Sequence, residues 1–167
     1  MTAHSFLSGL VRESMRSGTI ASLVIMPVGF LFRYLGLRIG HYGPKLGALL
    51  FGNVAEPWFQ VLLLFQHFVI GWLSTAPLLL FLVFARYRGS PLLYGAIYGA
   101  GYYVAVNSLF LPIVFGDPTP WQIGLDSIYP SLIGHMVFGI SIAVTARRFV
   151  STYKGNAIAA PADNYYA

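Results

Sequence analysis

The chain has 167 residues, 57% hydrophobic and only 9% charged, with a formal net charge of +5 and a mean hydropathy of +0.70. A soluble domain carries roughly 25% charged residues, so this chain cannot cover a water-facing surface, and its basic residues speak to membrane topology rather than to nucleic acid. There is no cysteine, which excludes disulfides, iron–sulfur clusters and thiol chemistry.

From His4 to Ser17 the apolar residues Phe6, Leu7, Leu10, Val11 and Met15 recur at helical spacing, with Arg12, Glu13 and Arg16 on the other side. The pattern predicts an amphipathic helix lying on the inner membrane surface. A membrane-spanning helix needs about 20 mostly apolar residues, and four runs qualify. The first spans residues 19–37 and contains Pro27 and Arg33. No small-residue cleavage site follows it, so no cleavable leader is expected. A glycine-rich loop, residues 40–58, is too short to span and is expected to dip into the outer interface with Trp58 at headgroup level. The second span covers residues 59–85 and the third 91–115, with Pro77 and Pro112 inside them. Proline is tolerated there because neighbouring groups re-satisfy the freed carbonyl. The fourth covers residues 128–146, and the tail from 155 to 167 is expected to be loosely ordered. The fold expected is all-α: an integral membrane four-helix bundle over residues 1–154, with an N-terminal interfacial helix. No internal repeat argues for an inverted duplication.

Basic residues orient the bundle. Arg12 and Arg16, the turn Arg86 to Arg88, and Arg147, Arg148 and Lys154 fall on one side. The other side carries Arg38 and Lys45 together with Glu56, Asp117 and Asp126. The excess puts both termini in the cytoplasm.

Lipid tails are as apolar as leucine, so membrane helices associate where small residues let backbones approach. The third span carries Gly95 and Gly99 as a GxxxG pair, the fourth carries Ser131, His135, Gly139 and Ala143 at intervals of four, and the second carries His67, Gly71 and Ser74 on one face. His67, Asn107 and His135 share faces with small residues and are expected to point into the bundle. At 1.5 Å rise per residue all three sit about 10–12 Å below the outer boundary, which predicts one polar cluster.

Three readings of such a cluster stay open on the sequence. Buried polar side chains hydrogen-bond membrane helices together, at about 0.6 kcal/mol on average. Two histidines at one depth on different helices suit bis-imidazole haem ligation, with His67 and His135 as axial ligands. A histidine cluster facing an acidic exterior suits proton sensing or relay. Tyr98, Tyr102 and Tyr103 read as packing or as the wall of a narrow path. Arg33 reads as a headgroup contact or a partner for Glu56, Asp117 as a turn residue, and His4 and His41 as surface residues. No phosphate loop, nucleophile elbow or metal-spaced carboxylates are present, so no enzyme activity, no resident cofactor and no metal are expected.

The segment from Ile133 to Phe149, IGHMVFGISIAVTARRF, resembles the YagU-like family of bacterial inner-membrane proteins, which shows a Gly-His pair, aromatic neighbours and a basic cytoplasmic end there. His67 at a matching distance before the basic turn, the run LLYGAIYGAG, the exit FLPIVFGDPTPW and the pair Arg33–Tyr34 are similar too. The loop between spans one and two looks shorter than the family's, and Asn107 stands where a histidine is expected. The resemblance implies a small four-helix inner-membrane protein with no settled biochemical activity, linked to acid tolerance. The expected function is therefore a non-enzymatic envelope protein supporting acid or stress tolerance. The alternative is a haem-binding or accessory subunit of a larger membrane complex. The lipid bilayer is the expected surrounding. The tail, the N-terminal helix and the GxxxG face leave room for a homo-oligomer or a larger complex.

Overall fold

The computed structural model describes residues 3–37, 43–52, 54–84 and 89–156. Arg38, His41, the turn Arg86 to Arg88 and the tail from residue 157 lie outside the described residues. Helices follow in the order α1 (Ala3–Tyr34), α2 (Gly43–Phe51), α3 (Trp58–Phe84), α4 (Pro91–Tyr103), α5 (Leu111–Phe115), α6 (Pro120–Ile123), α7 (Leu125–Thr145) and α8 (Arg147–Asn156), with a π-helical stretch, Val104–Phe110, joining α4 to α5. Four helical stretches are long and apolar enough to cross a membrane: His4–Tyr34, Trp58–Phe84, Pro91–Phe115 and Leu125–Thr145. The chain is an all-α four-helix bundle and a multi-pass membrane protein. Large apolar side chains such as Phe30, Leu73, Ile97 and Ile113 stand exposed on the outside of the bundle, where a soluble protein would place charge.

The expected N-terminal interfacial helix is not a separate element. It runs without a break into the first span as α1, a helix of 32 residues. At 1.5 Å per residue α1 is about 48 Å long, against about 30 Å of hydrocarbon, so it projects beyond the core of a bilayer. Glu13 and Arg16 do not break it because they pair with each other and with their surroundings. Arg16 bonds to Glu13 at 2.7 Å and to the carbonyl of Thr145 at 2.7 Å, and Ser17 donates to Glu13 at 2.6 Å. The facing is also the reverse of a simple amphipathic helix. Leu7, Val11 and Met15 are exposed, while Leu10, Ser14, Ser17, Ala21 and Ser22 are buried against the bundle. Small residues, rather than large apolar ones, mark the packing face.

Pro27, Pro77 and Pro130 sit inside regular α-helices. The irregularity falls ahead of Pro112, whose missing N–H cannot serve the carbonyl of Ser108. The chain widens into a π-helical stretch there and then resumes as α5. The 40–58 loop holds the short helix α2, tethered when Lys45 pairs with Asp117 in the turn after Gly116.

Each of the four spans runs antiparallel to the next. α1 packs between α3 and α7, and α7 between α1 and α4. The α4–α7 contact is the most intimate. A Cβ on Gly95 would sit 2.6 Å from the carbonyl oxygen of Gly139, and one on Gly99 would sit 2.7 Å from the Cα of Met136. The GxxxG face is thus occupied within the chain by α7. Gly71 faces Gly18 and Ser22 of α1 in the same manner, and Ala143 is buried in the core. At one end of the bundle Phe6 meets Phe84 and Tyr153, with ring centroids 5.9 and 5.1 Å apart, so that α8 folds back over the start of α1.

Candidate functional site: a histidine-lined cavity

Because α3 and α4 do not pack backbone to backbone, a cavity of about 390 Å³ opens between the four spans. Tyr102 of α4 closes its side, with Tyr98 one turn away. Tyr98 donates to the carbonyl of Ser74, and the hydroxyl of Ser74 donates to that of Tyr102 at 2.6 Å. These bonds place Tyr98 and Tyr102 as bridges between α4 and α3, with Tyr102 forming part of the wall.

Both predicted histidines reach this cavity, His67 from α3 and His135 from α7. Neither bonds to the other. His67 Nε2 lies 3.4 Å from the carbonyl oxygen of Ser22, on α1, and His135 Nδ1 lies 2.7 Å from that of Ser131, one turn back on its own helix. A carbonyl can only accept, so each neutral ring carries its proton on that nitrogen and leaves the other nitrogen as an acceptor. The ring of His135 is also flanked by Tyr102 and Tyr103, each with its centroid 5.6 Å away.

Asn107 does not join them. It is buried, but its amide donates to the carbonyl of Tyr103 at 3.2 Å, within its own helix, and it does not line the cavity. The expected His67–Asn107–His135 network is therefore replaced by three separate bonds to backbone carbonyls. The expected common level does not hold for Asn107: Gly99 packs against the backbone of His135, and Asn107 lies eight residues farther along, about 12 Å at 1.5 Å per residue.

Two other polar residues of the wall escaped the sequence reading. Gln66 is 5% exposed and Ser22 is 0% exposed. Gln66 donates from Nε2 to the carbonyl of Gly43 at 3.1 Å, which ties α3 to the start of α2. Its Oε1 has no partner, and neither has Ser22 Oγ. A buried polar atom left unpaired costs about 1–3 kcal/mol. The signal was present as the small-residue stripe Ser17, Gly18, Ala21 and Ser22 and as the neighbouring pair Gln66–His67.

The rest of the wall is apolar, including Ile25, Met26, Ile70 and Phe138, and Arg33 stands at the α1 end. Glu56 is not a partner for Arg33. It accepts from Gln60 at 3.1 Å, and the ion pairs among the described residues are Arg16–Glu13 and Lys45–Asp117. No group of three or more potential metal ligands exists among the described residues.

Fold and cavity together define a small multi-pass helical membrane protein with a mostly apolar, histidine-bearing pocket between its spans. No known protein family, curated protein or solved structure matches the chain.

Proposed function

We propose that the chain is a small, non-enzymatic protein of the bacterial inner membrane, with both termini in the cytoplasm, whose working part is the histidine-lined cavity. In this reading the cavity responds to acidification and supports acid or stress tolerance, in keeping with the chain's resemblance to the YagU-like family. One observation carries it: His67 and His135, from two different helices, converge on one cavity. Imidazole changes charge between about pH 5 and pH 8. A second proton turns each ring from donor-plus-acceptor into a cationic double donor. Around the rings, Arg33 on α1 and Tyr102 on α4 border the cavity, Tyr103 contacts His135, and no carboxylate among the described residues lines the wall.

The orientation is supported by placement. Arg147 and Arg148 begin α8, which packs on the first turns of α1 at Ser5 and Phe6, and basic residues favour the cytoplasmic side. Trp58 and Trp121 stand exposed at the opposite end of the bundle, where interfacial aromatics sit.

The test is thermal unfolding in mild detergent between about pH 8 and pH 5. The reading requires that the stability of the native protein change over this range and that the change disappear in the His67→Gln, His135→Gln double variant. Parallel profiles for the two proteins would overturn it.

A further inference from the structure

The cavity is long and narrow, and the charge in its lining is of one sign. From Ser22 to Arg33 on α1 and from Leu63 to Ser74 on α3 the lining runs eleven residues, about 16 Å at 1.5 Å per residue. Spread over that length, its volume of about 390 Å³ leaves a cross-section of about 24 Å². Hydrocarbon in van der Waals contact keeps its carbons about 4 Å from their neighbours, so the slot has room for one alkyl chain and not for two. Apolar side chains suited to such a chain, among them Ile25, Met26, Ile70 and Phe138, make much of the wall.

Arg33 is the single charged side chain of the lining among the described residues. It stands exposed at the mouth with Phe30, which is 68% exposed, towards the end of the bundle that carries Trp58 and Trp121. Arg33 belongs to neither of the ion pairs found among the described residues, so its N–H donors are open to a ligand. The neutral histidines do not compete for a head group, because each has its ring N–H at a backbone carbonyl. Glu56 accepts from Gln60 and, like Asp126, stands off the lining.

We propose that this cavity binds a single-chain amphiphile with an anionic head, a long-chain fatty acid, whose carboxylate pairs with Arg33 at the mouth and whose chain runs between α1, α3 and α7. The planar fork of a guanidinium matches a carboxylate through two parallel hydrogen bonds. A cationic head finds no counter-charge in the lining. A two-chain phospholipid enters only by splitting its chains between slot and bilayer. This inference rests on the reading of the cavity as the working part of the protein, and it adds what the cavity holds.

The experiment uses the full chain in phosphatidylcholine nanodiscs at mildly alkaline pH, where the carboxylate is ionised and both imidazoles are neutral. The probe is palmitate with a photoactivatable diazirine in its chain, and cross-linked residues are mapped by mass spectrometry. Labels are expected on slot residues such as Ile70 and Phe138, severalfold above those on the lipid-facing Leu73 and Ile97. Unlabelled palmitate should displace the probe from the slot. Hexadecanol, with the same chain and a neutral head, should compete at least about tenfold less well, because hydrogen bonds between charged groups are the stronger. Arg33→Gln should bring the two competitors level. Gly134→Leu fills the slot from α7, where nothing lies within 4 Å of the Cβ position, so it should fold and lose the slot labels. Labels no denser in the slot than on the lipid face, equal competition by the two compounds in the native protein, or slot labelling undiminished in Gly134→Leu would overturn the proposal. Displacement of the probe by phosphatidylglycerol added to the nanodisc would make the occupant an anionic phospholipid and overturn the fatty acid. Should slot labelling fail while the pH dependence of stability still requires both histidines, the ligand class alone is wrong. Should slot labelling hold without that pH dependence, the acid-response reading falls and the binding site stands.

Discussion

Gly99→Ala tests the packing of the bundle at its tightest point. In the native chain a Cβ at residue 99 would lie 2.6 Å from the carbonyl carbon of His135 and 2.7 Å from the Cα of Met136. Ordinary carbon contacts are about 3.5–4.0 Å, so α4 and α7 must separate by about 1 Å. The obstacles are backbone atoms, and no rotamer change relieves them. Overpacking of this kind costs up to about 3 kcal/mol, while replacing a mid-helix glycine by alanine returns about 1 kcal/mol. The net expectation is a loss of about 2 kcal/mol. Gly101→Ala is the internal control, because nothing lies within 4 Å of its Cβ position. It keeps the propensity gain and escapes the clash, so it should be neutral or slightly stabilising. Unfolding by sodium dodecyl sulfate titration from mild-detergent micelles reads both. Equal stability of the two variants would refute the close α4–α7 approach.

Other consequences are as direct. Tyr102→Phe removes the acceptor of the Ser74 hydroxyl and should cost about 1 kcal/mol in the same titration; no change would mean that α3 and α4 are not bridged there. Because the chain has no cysteine, Glu56→Cys and Arg148→Cys report topology cleanly. An impermeant thiol reagent applied to intact cells should label the first and spare the second, and the reverse pattern would invert the orientation. Protein purified in mild detergent from haem-replete cells should show no Soret band before or after dithionite. A Soret band lost in both His67→Ala and His135→Ala would instead make the two imidazoles haem ligands.

The spans were legible because length and apolarity decide them. The second was expected at residues 59–85 and is Trp58–Phe84, and the third was expected at residues 91–115 and is Pro91–Phe115. The first was misjudged where local chemistry outweighed composition. Glu13, Arg16 and Ser17 look like a boundary in the sequence, but they satisfy one another and the end of α7, so the helix continues. The site was legible in its histidines and not in its connections. The register of α4 on α7 sets Gly99 rather than Asn107 opposite His135, and Asn107 and His135 both turned to carbonyls of their own helices. Gln66 and Ser22 were hidden for a related reason. Neither is titratable, and their importance lies in what they lack, which only a three-dimensional neighbourhood exposes.

The order of the spans along the chain has a consequence for biogenesis. The wall of the cavity draws on α1 and α3, the first two spans to be synthesised, and on α7, the last. In an insertion intermediate holding only the first two, Ser22 already faces Gly71, His67 already lies at the Ser22 carbonyl and Gln66 at that of Gly43, while the side of the cavity that α7 lines stays open. α7 closes that side, and α4, emerging just before it, supplies the glycine face on which it seats. A nascent chain arrested before Leu125 therefore has its α1–α3 contacts made but its cavity open on one side and the glycine face of α4 uncovered, and release of the last span is the step that closes both.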